Sequence, residues 1–202
     1  MHTFLKFYSQ NFDILFGKDP IYILFYKAYF IDKKVFEEVS DSWSSLMESG
    51  FIRKLEINDL NSVIELERKC FSDCNAYNLR QIRYLIKNAN SNCLAEARQE
   101  VLRGFIIVLY KNGSGVAGIE TLNVDPMFRG LGIGKKLLAA AEQEMYPKAI
   151  RRIRLEVSAG NTPAINLYEK SGFRKTTILK NYYKNPYFGT NDAFRMVKLL
   201  TT

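Results

Sequence analysis

Between Val101 and Met145 the order of local signals leaves few folds open. Val101 to Tyr110 reads as a strand, Lys111-Asn112-Gly113-Ser114-Gly115 as a hairpin turn, and Val116 to Val124 as the returning strand. Cys93 to Arg98 is a further strand, joined to Val101 by a tight turn. Strands linked this closely pair antiparallel, which excludes an all-parallel doubly wound sheet. A turn at Asp125-Pro126 follows, then Arg129-Gly130-Leu131-Gly132-Ile133-Gly134-Lys135-Lys136. A helix comes next, with Leu137, Leu138, Ala141 and Met145 on its apolar face.

The flanking segments extend this pattern. Phe51 to Leu55 predicts a strand. Asn58-Asp59 predicts the cap of a helix carrying Leu60, Val63, Ile64 and Leu66-Glu67, and a second helix spans roughly 78–87. Ile153 to Val157 is the next strand. Asn161-Thr162-Pro163 opens another helix, with Thr162 as cap, and Lys170-Ser171-Gly172 closes it. Strands at about 173–183 and 193–199 finish the chain. The expected fold is mixed α/β (α+β), a mostly antiparallel sheet of about seven strands with about four helices.

The chain has 202 residues, more than one such domain needs. The surplus lies in residues 1–50, an aromatic-rich N-terminal extension with Phe4, Phe7, Tyr8, Phe12, Phe16 and the run Ile21-Tyr22-Ile23-Leu24-Phe25-Tyr26. Two short strands and a helix from about Lys33 to Met47 are expected there. Ser49-Gly50 marks a boundary, leaving 51–202 as the main domain. The extension could serve as a packing appendage, a contact between two copies, or a partner or membrane patch.

Composition narrows the function classes. Hydrophobic residues are 47% and charged residues 25%, which excludes disordered and collagen-like chains. No apolar run is long enough to span a bilayer, and Met1 to Lys6 lacks the pattern of a secretory signal. Three cysteines (Cys70, Cys74 and Cys93) without paired spacing, and a single His, argue for free thiols in a reducing cytoplasm and against a metal site. The net charge of +8 asks for an anionic partner without choosing one.

The glycine segment makes that choice sharper. Alternating glycines at a helix start let backbone N–H groups converge on one anion, and Arg129, Lys135 and Lys136 add full charges. A Walker A loop would need Gly at 129 and Ser or Thr at 136. A dinucleotide fingerprint would need a small residue at 135 or 137. Both fail, and Arg-x-x-Gly-x-Gly remains.

These residues carry a family resemblance. Val124-Asp125-Pro126-Met127-Phe128-Arg129-Gly130-Leu131-Gly132-Ile133-Gly134 resembles the acetyl-coenzyme A loop of the GNAT N-acetyltransferases. Asn161-x-x-Ala164-x-x-Leu167-Tyr168-Glu169-Lys170-x-Gly172-Phe173 resembles that superfamily's second signature. Asn181-Tyr182-Tyr183 followed by Asp192-Ala193 is similar to the branch that acetylates protein N-termini, RimI-like enzymes among them. The resemblance covers about residues 51 to 200 and implies the GNAT fold.

It also implies acetyl-CoA as cofactor. Backbone groups of Leu122, Asn123 and Val124 would face its pantetheine arm, with Asn161 and Tyr168 on the other side. The loop Arg129, Gly130, Leu131, Gly132, Ile133, Gly134 and Lys135 would hold its pyrophosphate. Substrate peptide would lie beside Phe71, Tyr182 and Tyr183. The resemblance nominates Glu156 as general base through a water, since it stands twelve residues before Tyr168 as the branch's proposed base does before its Tyr. Alternation alone makes Glu156 the residue pointing away from Ile153, Leu155 and Val157. Tyr168 would be the general acid at the leaving thiolate. The chain lacks the Pro-Trp pair expected after Phe71, which bears on which N-terminal residues are accepted.

An α-amino group with a pKa of about 8 is roughly one-tenth neutral at pH 7, against well under a thousandth for lysine at about 10.4. Modest base assistance therefore suffices for an N-terminal substrate. The expectation is an acetyltransferase of protein N-termini, ribosomal proteins included, with ribosome association open. No direct nucleic-acid or membrane binding is expected, and the chain acts as a monomer or a homo-oligomer through the extension. Acetylation of small amines or lysine side chains is the alternative enzyme, and a non-catalytic CoA- or ribosome-binding module the alternative of another class.

Overall fold

The computed structural model describes residues 45–71 and 75–200. The chain divides between Ser49 and Gly50. Of the first unit only 45–49 are described, with 45–47 helical. The two strands expected before residue 33, and the helix up to residue 44, lie outside the described residues.

From Gly50 onward seven strands form one sheet. They are β1 (Phe51–Lys54), β2 (Ser91–Arg98), β3 (Val101–Lys111), β4 (Val116–Val124), β5 (Arg152–Ser158), β6 (Arg174–Leu179) and β7 (Ala193–Leu199). Their spatial order is β1-β2-β3-β4-β5-β7-β6. All neighbours are antiparallel except β4 and β5, which run parallel. The β2–β3 turn places Gln99 and Glu100 at φ 46° and 64°, the left-handed pair whose twist suits a two-residue hairpin.

Helices cover both faces. α1 (Leu60–Cys70) and α2 (Leu79–Lys87) bury Val63, Leu66 and Ile82 against Phe105 and Ile107 of β3. α3 (Ile133–Gln143) and α4 (Thr162–Lys170) bury Leu137, Leu138 and Ile165 with Ile106, Val108, Ile153 and Leu155. Alternate β3 residues thus serve two cores, which explains its unbroken apolar run from Phe105 to Leu109. Among the described residues no helix is long and apolar enough to cross a membrane.

Three local expectations are corrected. Asp59 does not cap α1 with its side chain. It accepts from the Glu56 N–H at 2.8 Å and binds both Arg53 nitrogens at 2.7 Å, closing a 3-10 turn ahead of the helix. Asn161 rather than Thr162 caps α4, its Oδ1 accepting from the Ala164 N–H at 3.2 Å. The strand expected to reach residue 183 stops at Leu179, and Tyr182 and Tyr183 lie in the following loop.

The feature that positions the site is a fork between β4 and β5. They pair only from Val116↔Arg152 to Ile119↔Leu155. Beyond that, β4 stays with β3 as far as Val124, and β5 stays with β7 as far as Ser158. The β3–β4 register shows why. Val108 faces Ile119 but Ile107 faces Thr121, so Glu120 is an extra residue in β4. A bulge of this kind bends its strand and sharpens the twist, and here it falls where β4 leaves β5.

Candidate active site

The fork opens beside the glycine loop. From Glu120 onward β4 has no strand partner on its β5 side. Its end carries Leu122 and Val124, both half-buried, while the Asn123 side chain turns to the opposite face. Asp125 caps a 3-10 turn (Pro126–Phe128) by accepting from the Met127 N–H at 3.0 Å, and Lys69 of α1 bonds its carboxylate at 3.0 Å.

The loop then runs over the surface to α3. Gly130 and Gly132 have φ of 84° and 76°, and a Cβ on either would meet nothing within 4 Å. Glycine is thus required there by backbone conformation, and the space beside it is open to a ligand. Gly134 has a different reason. A Cβ there would stand 3.1 Å from Leu167 Cδ2, so its absence lets α3 approach α4. Leu131 and Lys135 are exposed, and Ile133 is buried as the anchor of the first turn. The N–H groups of that turn and the two bare glycines form a cradle suited to a pyrophosphate. Arg129 folds back, its Nε donating to the Val124 carbonyl at 3.3 Å.

Across the fork stands Glu156, half-buried on β5. Its Oε1 accepts from Arg195 Nε at 2.8 Å and lies 3.6 Å from Arg154 Nε. Among the described residues nothing bonds its Oε2. Arg195 therefore holds the carboxylate by one oxygen, with Arg154 close to the same atom. Tyr168 of α4 is buried, its ring 5.6 Å from that of Phe173. Among the described residues no group hydrogen-bonds its hydroxyl. Burial pushes the phenol well above the ordinary tyrosine value, with Tyr183 and Tyr187 adding to the shift, so it is held protonated.

An aromatic wall faces the fork. The rings of Tyr182 and Tyr183 meet edge-on at 5.0 Å, Tyr183 lies 5.6 Å from Tyr187, and Tyr187 stacks on Phe71 at 5.3 Å. Burial raises the Tyr183 phenol to about 12. The loop bearing these tyrosines is clamped to the end of β5. Ser158 Oγ donates to the Tyr187 carbonyl at 2.6 Å, and a Cβ on Gly160 would stand 2.0 Å from the Phe188 carbonyl oxygen. Gly160 is required by close approach, and any larger residue there displaces the wall. Of the loop of about Phe71 to Asn78 expected beside the substrate, residues 72–74 lie outside the described residues.

Sequence reasoning missed several members of this site. Tyr187 sits between the predicted strands without a motif. Glu67 was visible on the apolar face of α1, since it keeps helical spacing with Leu60, Val63 and Ile64. It is fully buried, accepting from the Tyr77 N–H at 3.0 Å and from Asn123 Nδ2, with Thr121 close by. It thereby joins α1, the segment before α2 and the end of β4. Two surface clefts, one along α1 and one beside the β3–β4 turn, hold none of the expected site residues.

Burial raises the Glu67 carboxyl against the pull of those donors. A carboxyl whose folded pKa lies above its unfolded value contributes stability below the unfolded pKa and loses it as pH rises through the folded one. We expect thermal stability to fall above about pH 4.3, by about 1.4 kcal/mol for each unit of elevation. Melts of the wild type and Glu67→Gln between pH 4 and 8 check this, and the variant should lack that part of the slope.

Comparison with known proteins gives the following. Residues 60–173 match the model of the Acetyltransferase (GNAT) family. A [ribosomal protein bS18]-alanine N-acetyltransferase of Haemophilus ducreyi is 43% identical over 84 residues, 42% of this chain and 58% of the relative. The chain thus spans little more than half the length of that relative. An N-alpha-acetyltransferase of Sulfurisphaera tokodaii is 31% identical over 158 residues, 72% of this chain and 90% of the relative. Among solved structures, the ribosomal-protein-S18-alanine N-acetyltransferase from Escherichia coli superposes with a TM-score of 0.67 at 25% identity, covering 76% of this chain and 95% of that one.

Proposed function

The chain belongs to the acetyltransferase (GNAT) family, and from that membership we propose that it transfers an acetyl group from acetyl-CoA to the α-amino group of protein N-termini. GNAT acetyltransferases use acetyl-CoA. The observation that carries the reading is the fork. A parallel pair ends at Ile119↔Leu155, a glycine cradle lies on one side, and a carboxylate and a phenol line the other. Likeness to two relatives named for N-terminal or N-alpha acetylation favours a peptide amine over other acceptors.

The cradle fits the cofactor because Gly130 and Gly132 leave open space where side chains would stand. Backbone groups of Gly130 to Lys135 would bind the pyrophosphate, with Arg129 and Lys135 supplying charge. The β5-facing edge of Leu122, Asn123 and Val124 would bind the pantetheine arm, joined by Asn161. Asn161 uses Oδ1 for its cap and keeps its Nδ2 for a ligand. Acetyl-CoA supplies the thioester whose carbonyl carbon the amine attacks.

Glu156 takes the amine's proton through a water at Oε2 while Arg195 and Arg154 hold Oε1. The neutral amine forms the new C–N bond as the C–S bond breaks, and its second proton ends on the thiol. Tyr168 donates a hydrogen bond to the departing sulfur. Burial keeps its phenol protonated until that step, so Tyr168 serves as the general acid, passing its proton to the thiolate and regaining one from the amine nitrogen. Phe71, Tyr182 and Tyr183, with Tyr187, bind the peptide by ring contact and phenolic hydrogen bonds.

The test is direct. Full-length protein, acetyl-CoA and peptides with free or blocked N-termini, some containing lysine, are incubated and the acetyl group is located by mass spectrometry. Acetylation of free α-amines is expected. Acetylation confined to lysine, or none with coenzyme A bound, overturns the reading.

A further inference from the structure

The fork has a second carboxylate that the mechanism above leaves unused. Ile119↔Leu155 is the last β4–β5 pair, so Glu120 and Glu156 are the first residues beyond it on their respective strands. They flank the opening. Their surroundings differ. Glu156 is neutralised by Arg195 and Arg154. Glu120 is exposed, and among the described residues its only bond is from a neutral group, Tyr77 Oη donating to Oε2 at 3.1 Å. The bulge aims it. An extra residue in β4 puts Glu120 and Thr121 on the side of the sheet that carries α1, α2 and Tyr77. There is room beside it, because a Cβ on Gly118 would find nothing nearer than Glu120 Oε1 at 3.6 Å.

At pH 7 about nine-tenths of α-amino groups arrive as ammonium ions. A site whose only nearby carboxylate is already paired with arginines repels such a cation. We propose that Glu120, oriented by Tyr77, is the residue that binds the substrate's α-ammonium group and so sets preference for a cationic amine at the fork. Glu156 then receives the proton through water. This division of labour rests on the acetyltransferase reading. One carboxylate carries net charge and binds, while the other is held by arginines and relays. No bond is made or broken by Glu120, and it selects substrate before chemistry.

The experiment is a cycle between protein and substrate. Wild type, Glu120→Gln and Tyr77→Phe are assayed with an acceptor peptide, and with its des-amino analogue (hydrogen in place of the α-ammonium) as competitive inhibitor. For Glu120→Gln we expect KM for the amine peptide to rise tenfold or more and kcat to change less than threefold. The inhibition constant of the des-amino peptide should be unchanged. Tyr77→Phe should move KM in the same direction by a smaller factor. Glu156→Gln should show the opposite split, with kcat lost and KM retained. Equal losses for amine and des-amino peptides, or an unchanged KM for Glu120→Gln, overturn the assignment. A wild type that binds coenzyme A but acetylates no N-terminus overturns the underlying reading instead, and the assignment with it.

Discussion

Replacing Tyr168 with Phe is expected to lower kcat by about 100-fold or more while affinity for coenzyme A stays within about twofold. The ring keeps its contact with Phe173 at 5.6 Å. Because no described group bonds the hydroxyl, its removal leaves no orphaned partner, so stability should change by less than about 1 kcal/mol. A core tyrosine with only a packing role would give the reverse result, with normal turnover. Single-turnover acetylation with bound acetyl-CoA, alongside a melt of the same variant, separates the two. Normal kcat would remove Tyr168 from the mechanism.

The second large effect is on folding. Glu96 and Arg103 are 0% and 1% exposed, and they pair through Arg103 Nε to Oε2 at 2.9 Å and through Nη2 to Oε1. The guanidinium also lies 5.4 Å from the Phe128 ring centroid, and the Arg103 carbonyl accepts from the Asp125 N–H at 2.8 Å. The pair therefore sits beneath the foot of the glycine loop. Glu96→Ala breaks a buried ion pair by removing the carboxylate that two Arg103 nitrogens bond, and should cost about 3–5 kcal/mol, a large fraction of the roughly 5–15 kcal/mol that holds a typical domain folded. Glu96→Met with Arg103→Met should recover much of that loss, since apolar replacements avoid the desolvation cost. Denaturant melts of the two variants measure it, and a single variant as stable as wild type would refute the account. Coenzyme A affinity should weaken in Glu96→Ala even below its melting temperature, because the Arg103 guanidinium packs on Phe128, the residue from which the loop starts at Arg129.

What was legible in the chain and what was not follow a physical line. β4 was predicted to its last residue because Asn112-Gly113 bounds it on one side and Asp125-Pro126 on the other. The apolar face of α3 was read from spacing alone, and Leu137, Leu138, Ala141 and Met145 are all buried. The strand expected through Tyr183 failed because β-rich composition continues past Leu179, where pairing with β7 ends. Pairing is a property of the partner and does not show in the residues themselves. The same limit hid Glu96 and Arg103, and it hid the partners of Glu67, whose place on the apolar face of α1 could be read. A charge in a sequence reads as solvated surface until a counter-charge or donor set from another element is placed against it.

Local chemistry by itself determined the element order, the apolar face of α3 and the need for glycine at the loop. Each depends on periodicity, turn preference or backbone freedom within a few residues. Only the tertiary structure decided the rest. The fork exists because one extra residue in β4 bends it from β5. Glu120 and Glu156 differ in surroundings because Arg154 and Arg195 stand beside Glu156 and Tyr77 beside Glu120. Tyr187 joins the wall because its loop is clamped to Ser158 and Gly160. These are contacts between elements distant in the chain, and their energies depend on distance and burial, which no single segment encodes.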